Sequence, residues 1–318
     1  MLHQLKSLDR GTLAVVLATA LTLTLTALGW YALELHKQAW VFHPFGVRWT
    51  FRGTWLQPVV MVALAAIFFG FVRVFRGLRW RDLSAQGQIV AISSLAIIAV
   101  LWWWGRGGFF GRNVAQHVPD SAFEPLYAFF WFSFWCVALR MLIPLVLMRR
   151  PLRLRPVDFG YRLRGASRLW WLYLVLAAVV CVVVVVYASN QPAFLRKYPM
   201  CRAMIVQDEI LWWHFLLYQL AYLMVFVSGE SFWRGYIAFG LEKDLGKLSL
   251  AFMIIPYVTA HFGKPLPETL GAIATGLVLG FLALHHRSFW LGVVAHYGVA
   301  LTMDVSAMVR RGIQLVGS

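Results

Sequence analysis

Apolar runs separated by short polar stretches recur along the whole 318-residue chain. Most are close to the roughly 20 residues that an α-helix needs to cross a bilayer. They fall at about 11–35, 56–74, 87–104, 125–148, 169–188, 210–239, 248–262, 267–284 and 289–308. This pattern predicts an all-α, polytopic integral membrane protein with about eight to nine transmembrane helices, nine being the favoured count. The run at 248–262 is short and could end in a buried re-entrant segment. The first run is longer than a signal-peptide core and has no small-residue cleavage site after it, so it reads as an anchor.

Composition agrees with this pattern: 61% of residues are hydrophobic and 13% are charged. The formal charge of +16 does not point to nucleic acid, because the arginines sit in short blocks between apolar runs. They read instead as topology signals and contacts with lipid head groups. One block holds Arg73, Arg76, Arg79 and Arg81; another holds Arg149, Arg150, Arg153, Arg155, Arg162, Arg164 and Arg168. Both loops are expected on the cytoplasmic side, which puts the N-terminus inside, the segment 192–202 outside and, with nine crossings, the C-terminus outside. Such loops suit a bacterial inner (plasma) membrane. Tryptophans such as Trp102, Trp103, Trp104, Trp170 and Trp171 sit at run ends, as interfacial anchors do. Cys136, Cys181 and Cys201 form no C-x-x-C pair and predict neither a disulfide framework nor a thiolate metal site.

The character of the runs changes near Asp208. Before it they are largely Val, Leu, Ala and Phe, broken mainly by Arg140; after it they carry acids, histidines and small residues. We therefore expect one integral domain with N-terminal scaffold helices (1–208) and a C-terminal part (209–318) that holds the chemistry. Gly276 and Gly280 form a small-x-x-x-small pair that predicts close helix approach. Glu230 and Arg234 are four residues apart, so on one helix their side chains share a face. They could form a structural ion pair, or a carboxylate held near a guanidinium could be set to act on water. His261 ends an apolar stretch, and Glu268 after Pro267 suits the first turn of the next helix. His296 lies within the last run. Asp304 follows eight residues later, roughly 80° round the helix and about 12 Å along it, so the two share a broad face without touching. Asp304 then either faces the same cavity at another depth or surfaces at the membrane boundary. His214 reads as interfacial, and Arg140 either snorkels or lines a cavity.

Glu230-x-x-x-Arg234-Gly235, the aromatic-x-x-x-His at Tyr257 to His261, and His296 in the final run resemble the three ordered motifs of the CPBP family, the CAAX proteases and bacteriocin-processing enzymes. The Gly263-Lys264-Pro265-Leu266-Pro267-Glu268 connection and the turn at 284–290 also match. The resemblance covers roughly the last hundred residues. It implies an intramembrane endopeptidase of glutamate type, with Glu230 and His261 activating the attacking water, His296 donating to the oxyanion and Arg234 positioning Glu230. Two departures stand out. The first of the family's two adjacent acids aligns with Gly229, and the Asn expected four residues after the last His is Ala300, the nearest acid being Asp304. Asp304 is therefore a supporting candidate.

The expected reaction needs no cofactor. A zinc set of Glu230, His261 and His296 is the alternative, against which stand the lack of an H-E-x-x-H helix and the pairing of the Glu with Arg. The implied partners are the lipid bilayer and a membrane-associated protein or peptide substrate: a lipidated C-terminal tail, a bacteriocin leader or a C-terminal sorting tail. A non-catalytic relative acting in binding, immunity or chaperoning is the competing class. A proton-coupled transporter ranks lower, because no inverted repeat is visible.

Overall fold

A computed structural model describes residues 9–42, 49–163 and 170–317. Arg164, Arg168 and the expected helix start at Leu169 lie outside them. Among the described residues, eight helices are long and apolar enough to cross a membrane. They are α1 (Arg10–Ala32), α2 (Gly53–Arg76), α3 (Ala85–Gly105), α4 (Glu124–Arg149), α5 (Trp170–Asn190), α6 (Trp212–Leu245), then, after the short α7 (Leu248–Thr259), α8 (Leu266–His286) and α9 (Trp290–Arg311). The chain is an all-α polytopic membrane protein. Two short strand pairs complete it: β1 (Ala39–Phe42) antiparallel to β2 (Trp49–Arg52), and β3 (Glu209–Leu211) parallel to β4 (Gln314–Val316) in the register Glu209 to Gln314. All three cysteines are free thiols.

The chain divides into two compact units, one made of residues up to Ala99 with Trp233–Leu284, the other of Val100–Phe232 with His285–Ser318. Each draws on both sides of residue 208, because helix packing joins segments that are distant in the sequence.

In the first unit, α1 begins at an Asp9 N-cap whose carboxylate accepts from the Thr12 N–H at 2.9 Å and from its hydroxyl at 2.8 Å. Asp9 also pairs with Arg76, so the start of α1 meets the end of α2. The other polar side chains of α1 are satisfied locally: Thr19, Thr22, Thr24 and Thr26 each donate to the carbonyl four residues back. At the opposite end, the Tyr31 hydroxyl donates to the Lys264 carbonyl, and Gln57 Nε2 donates to the Phe262 carbonyl at 2.9 Å.

These contacts explain how a twelve-residue helix, only ~18 Å long, can join the two ends of the unit. The chain after α2 folds back so that Trp80 packs edge-on against Phe69 at 4.9 Å, nearly two turns short of Arg76. Ser84 then donates to Asp244 at 2.7 Å, which ties the end of α6 to this recessed level. From there α7 runs to the Phe262 end, with Phe252 packed on Phe68 and Phe69. Every residue of α7 is buried, so its length need not match the bilayer. The predicted run 248–262 is thus a short buried helix that stops at Thr259. Helix α8 lies on it through the expected glycines: a Cβ at Gly280 would come within 2.8 Å of Leu250, and one at Gly276 within 3.0 Å of Ile254.

In the second unit, His214 Nε2–H donates to the Ala122 carbonyl at 2.6 Å, joining the starts of α4 and α6. The residue read as interfacial is therefore buried and has a definite partner. Ser288 donates to the Arg162 carbonyl at 2.7 Å at the start of α9, while Arg310 at its end reaches Ser189 at the end of α5. Helices α5 and α9 therefore run parallel. The expected run 210–239 differs in extent: Ile210 belongs to β3, and the helix continues to Leu245. Of the tryptophans read as anchors, Trp103, Trp104, Trp170 and Trp171 are exposed, whereas Trp102 is covered by the Arg106 guanidinium at 3.5 Å.

If α7 is counted with the eight long helices, the described residues hold nine apolar helices, an odd number. Reporters fused at the N-terminus and after Ser318 should therefore read opposite faces of the membrane; the same face for both would mean that α7 turns back.

Candidate active site

Glu230 is the last residue of the regular α-helical part of α6, and Ser231–Phe239 continue it as a nine-residue π-helix. π-Helical turns are rare and are frequent at functional sites. The change at this point means that Glu230 and Arg234 no longer have the simple α-helical spacing that the sequence predicted.

The Glu230 carboxylate is 1% exposed. His296 Nδ1 lies 2.9 Å from its Oε1. An ionised carboxylate only accepts, so Nδ1 carries the proton and Nε2 is the far nitrogen of the ring. His296 is six residues, or about 9 Å, inside α9 from Trp290, well within the helix. Phe226, one turn before Glu230, sets its ring edge-on to the imidazole at 4.8 Å. One face of α6 thus supplies both the carboxylate that binds the imidazole and the ring that orients it. The other carboxylate oxygen lies over Gly292, one turn before His296, where an added Cβ would sit 2.7 Å from Oε2. A side chain at this position would push the end of Glu230 aside, and no motif in the sequence flagged Gly292.

In the other unit, Tyr257 organises the remaining candidates. The Arg234 guanidinium lies over its ring at 4.5 Å, and Arg234 is fully buried. His261 Nδ1 is 2.7 Å from the Tyr257 carbonyl. A carbonyl cannot donate, so Nδ1 carries the proton and, in the neutral ring, Nε2 is the basic nitrogen. The turn after His261 is fastened at three points: its own carbonyl accepts from the Thr269 hydroxyl at 2.9 Å, Lys264 pairs with Glu268 at 2.6 Å, and Gly263 takes φ +91°. Glu268 is thus a helix-start residue, as expected.

Asp304 is fully buried, so it does not surface at the membrane boundary. Its Oδ1 accepts from the Met200 N–H at 2.9 Å, and its Oδ2 from the Tyr218 hydroxyl at 2.6 Å and from Gln219 Nε2 at 3.4 Å. These bonds tie the segment between α5 and α6 to the helix pair α6 and α9. Burial, followed by the Asp304 charge, pushes the nearby Cys201 thiol up to about 12. Asp304 is connected toward His296 through Gln219, which accepts from Tyr297 at 3.1 Å. The structure thus places this supporting candidate in a network of its own.

Among the described residues, no group of three or more His, Cys, Asp or Glu side chains could hold a metal ion.

A family model described as Rce1-like, type II CAAX prenyl endopeptidase Rce1-like, matches residues 210–302. These residues are thus similar to the CPBP family, which supports membership of it. No curated protein and no solved structure matches the chain. The CPBP segment includes Glu230, Arg234, His261, Gly292 and His296 and ends just short of Asp304. The match supports a likeness to CAAX-protease-like membrane peptidases.

Sequence reasoning left Arg140 unexplained. It sits in a π-helical stretch of α4 (Ala138–Leu142), is buried, and donates to the Val225 carbonyl at 2.7 Å and the Ser228 hydroxyl at 2.9 Å. Both partners lie in the turn that leads to Glu230.

Gly292→Ala is expected to lower stability by about 1–3 kcal/mol and to reduce any Glu230-dependent turnover roughly 10- to 100-fold by displacing the carboxylate. Gly271→Ala, at a position with open space around it, should leave both unchanged. Thermal melting and turnover of the two variants check this; a Gly292→Ala protein that behaves like Gly271→Ala would refute the close packing.

Proposed function

We propose that this protein is an intramembrane endopeptidase that hydrolyses a peptide bond in or near the membrane. The observation that carries this reading is the hydrogen bond from His296 Nδ1 to the buried Glu230 Oε1. A carboxylate behind an imidazole stabilises the imidazolium, and the far nitrogen then has a proton to give. His296 Nε2–H would donate to the oxyanion that forms when water attacks the substrate carbonyl. His261, with its Nδ1 proton committed to the Tyr257 carbonyl, would take the proton from that water through Nε2, with Glu230 assisting. As the tetrahedral intermediate collapses, the C–N bond breaks and the proton taken from water passes to the leaving amine, leaving a carboxylate and a new N-terminus. Arg234, held over Tyr257, would set the position of the helix that carries Glu230. With Gly229 in place of the first of two acids, these roles fall on Glu230.

The substrate would be a membrane-associated protein or peptide, such as a lipidated C-terminal tail, a bacteriocin leader or a sorting tail. We place the protein in a bacterial inner membrane with its N-terminus cytoplasmic, on the strength of the exposed arginines at 73–81 and 149–155.

Terminal-peptide proteomics of host membranes carrying wild type or Glu230→Gln at matched abundance tests the reading. New termini should appear with wild type and fall by roughly 10²-fold or more in the variant, as for loss of a group that handles protons. Identical termini from two folded proteins would sink the protease reading and favour a binding role for a site that has lost one acid. A second test concerns metal: cleavage should survive 1,10-phenanthroline and EDTA at concentrations that strip zinc proteases. Abolition by the chelator and restoration by zinc would overturn the assignment of water activation to side chains alone.

A further inference from the structure

Arg140 lies seventy residues before the family-matched segment and belongs to a different helix from every motif residue. Ionisable side chains inside membrane helices are rare and face partners in the protein interior, so a buried arginine in the middle of α4 needs a reason. Among the described residues its hydrogen bonds go to Val225 and Ser228, five and two residues before Glu230. Ser228 in turn donates to the Val225 carbonyl at 3.1 Å, and Ser231 donates to the Ser228 carbonyl at 3.2 Å. The guanidinium thereby clamps the turn where α6 changes from α- to π-helical geometry, the turn that aims Glu230 at His296. Its charge lies within electrostatic reach of the Glu230 carboxylate.

We propose that Arg140 is a positioning residue for Glu230, fixing the turn that carries the carboxylate and supplying the positive charge against which it is held in the membrane. This rests on the reading of Glu230 as the working carboxylate. The other charged or titratable groups around it are His296 on α9, Arg234 on the same helix, Cys136 one turn before Arg140 on α4, and Tyr161, whose hydroxyl approaches Ser231. Arg140 bonds the turn before Glu230 from a neighbouring helix.

The test reads the effect of the Arg140 charge on Glu230 and does not depend on cleavage. Infrared difference titration of the purified protein reads the protonated carboxyl of Glu230, assigned as the band that Glu230→Gln removes. In Arg140→Gln, which carries no charge, the midpoint should rise by about one pH unit or more. In Arg140→Lys, which keeps the charge, it should stay within roughly 0.3 units of wild type. A folded Arg140→Gln protein with the wild-type midpoint would overturn the proposal. If Arg140→Gln does not fold, the double variant Arg140→Gln with Glu230→Gln decides: recovery of yield and melting temperature shows that the two charges serve each other, and no recovery refutes it. A protein that shows the shift but cleaves nothing would keep this inference and lose the protease reading. Cleavage without any shift would do the reverse.

Discussion

Glu230 is carried eighteen residues along a helix that starts at Trp212, and a carboxylate at such a depth has little water to stabilise it. A charge at a helix centre costs roughly 2.5–3.5 kcal/mol on insertion scales, so the ion must be compensated within the protein. His296 supplies a hydrogen bond, Gly292 supplies room for close approach, and Arg140 braces the turn beneath the carboxylate. Each comes from outside α6, so the carboxylate can be stable only once the helices have packed. The interaction that makes Glu230 tolerable also makes it chemically useful, because a carboxylate bound to an imidazole directs where that ring holds its protons.

The same economy governs His261. Its ring is tied to the carbonyl of Tyr257, a residue that also receives the Arg234 guanidinium on its face. Tyr257 belongs to a helix that is buried along its whole length and pressed against α8 by Gly276 and Gly280. Small residues allow two backbones to meet where lipid gives no hydrophobic force between helices. The position of one imidazole therefore rests on two glycines more than a dozen residues further along the chain. The short α7 fits because the loop after α2 folds back, which brings its starting point inward.

Asp304 shows that a buried acid in the last helix need not belong to the chemistry. Its bonds run to Met200, Tyr218 and Gln219, which makes it an anchor for the segment between α5 and α6. Hydrogen bonds to a carboxylate are stronger than those between neutral groups, so these contacts hold Asp304 in place. Its link toward His296, through Gln219 and Tyr297, is indirect, so its influence on the site would be one of support.

The amino-acid sequence by itself determined the all-helical membrane architecture, because hydrophobic thickness sets a length that twenty apolar residues announce directly. It also picked out Glu230, Arg234, His261 and His296, since polar residues in apolar runs stand out against so uniform a background. The close approach of α8 was legible in the spacing of Gly276 and Gly280. What only the tertiary structure decided was who meets whom: that Glu230 bonds His296, that Asp304 belongs to another network, that Gly292 makes room for the carboxylate, and that Arg140 braces its helix. These are contacts between segments separated by tens of residues, and hydropathy along one helix carries no record of the side chain that will face it from another.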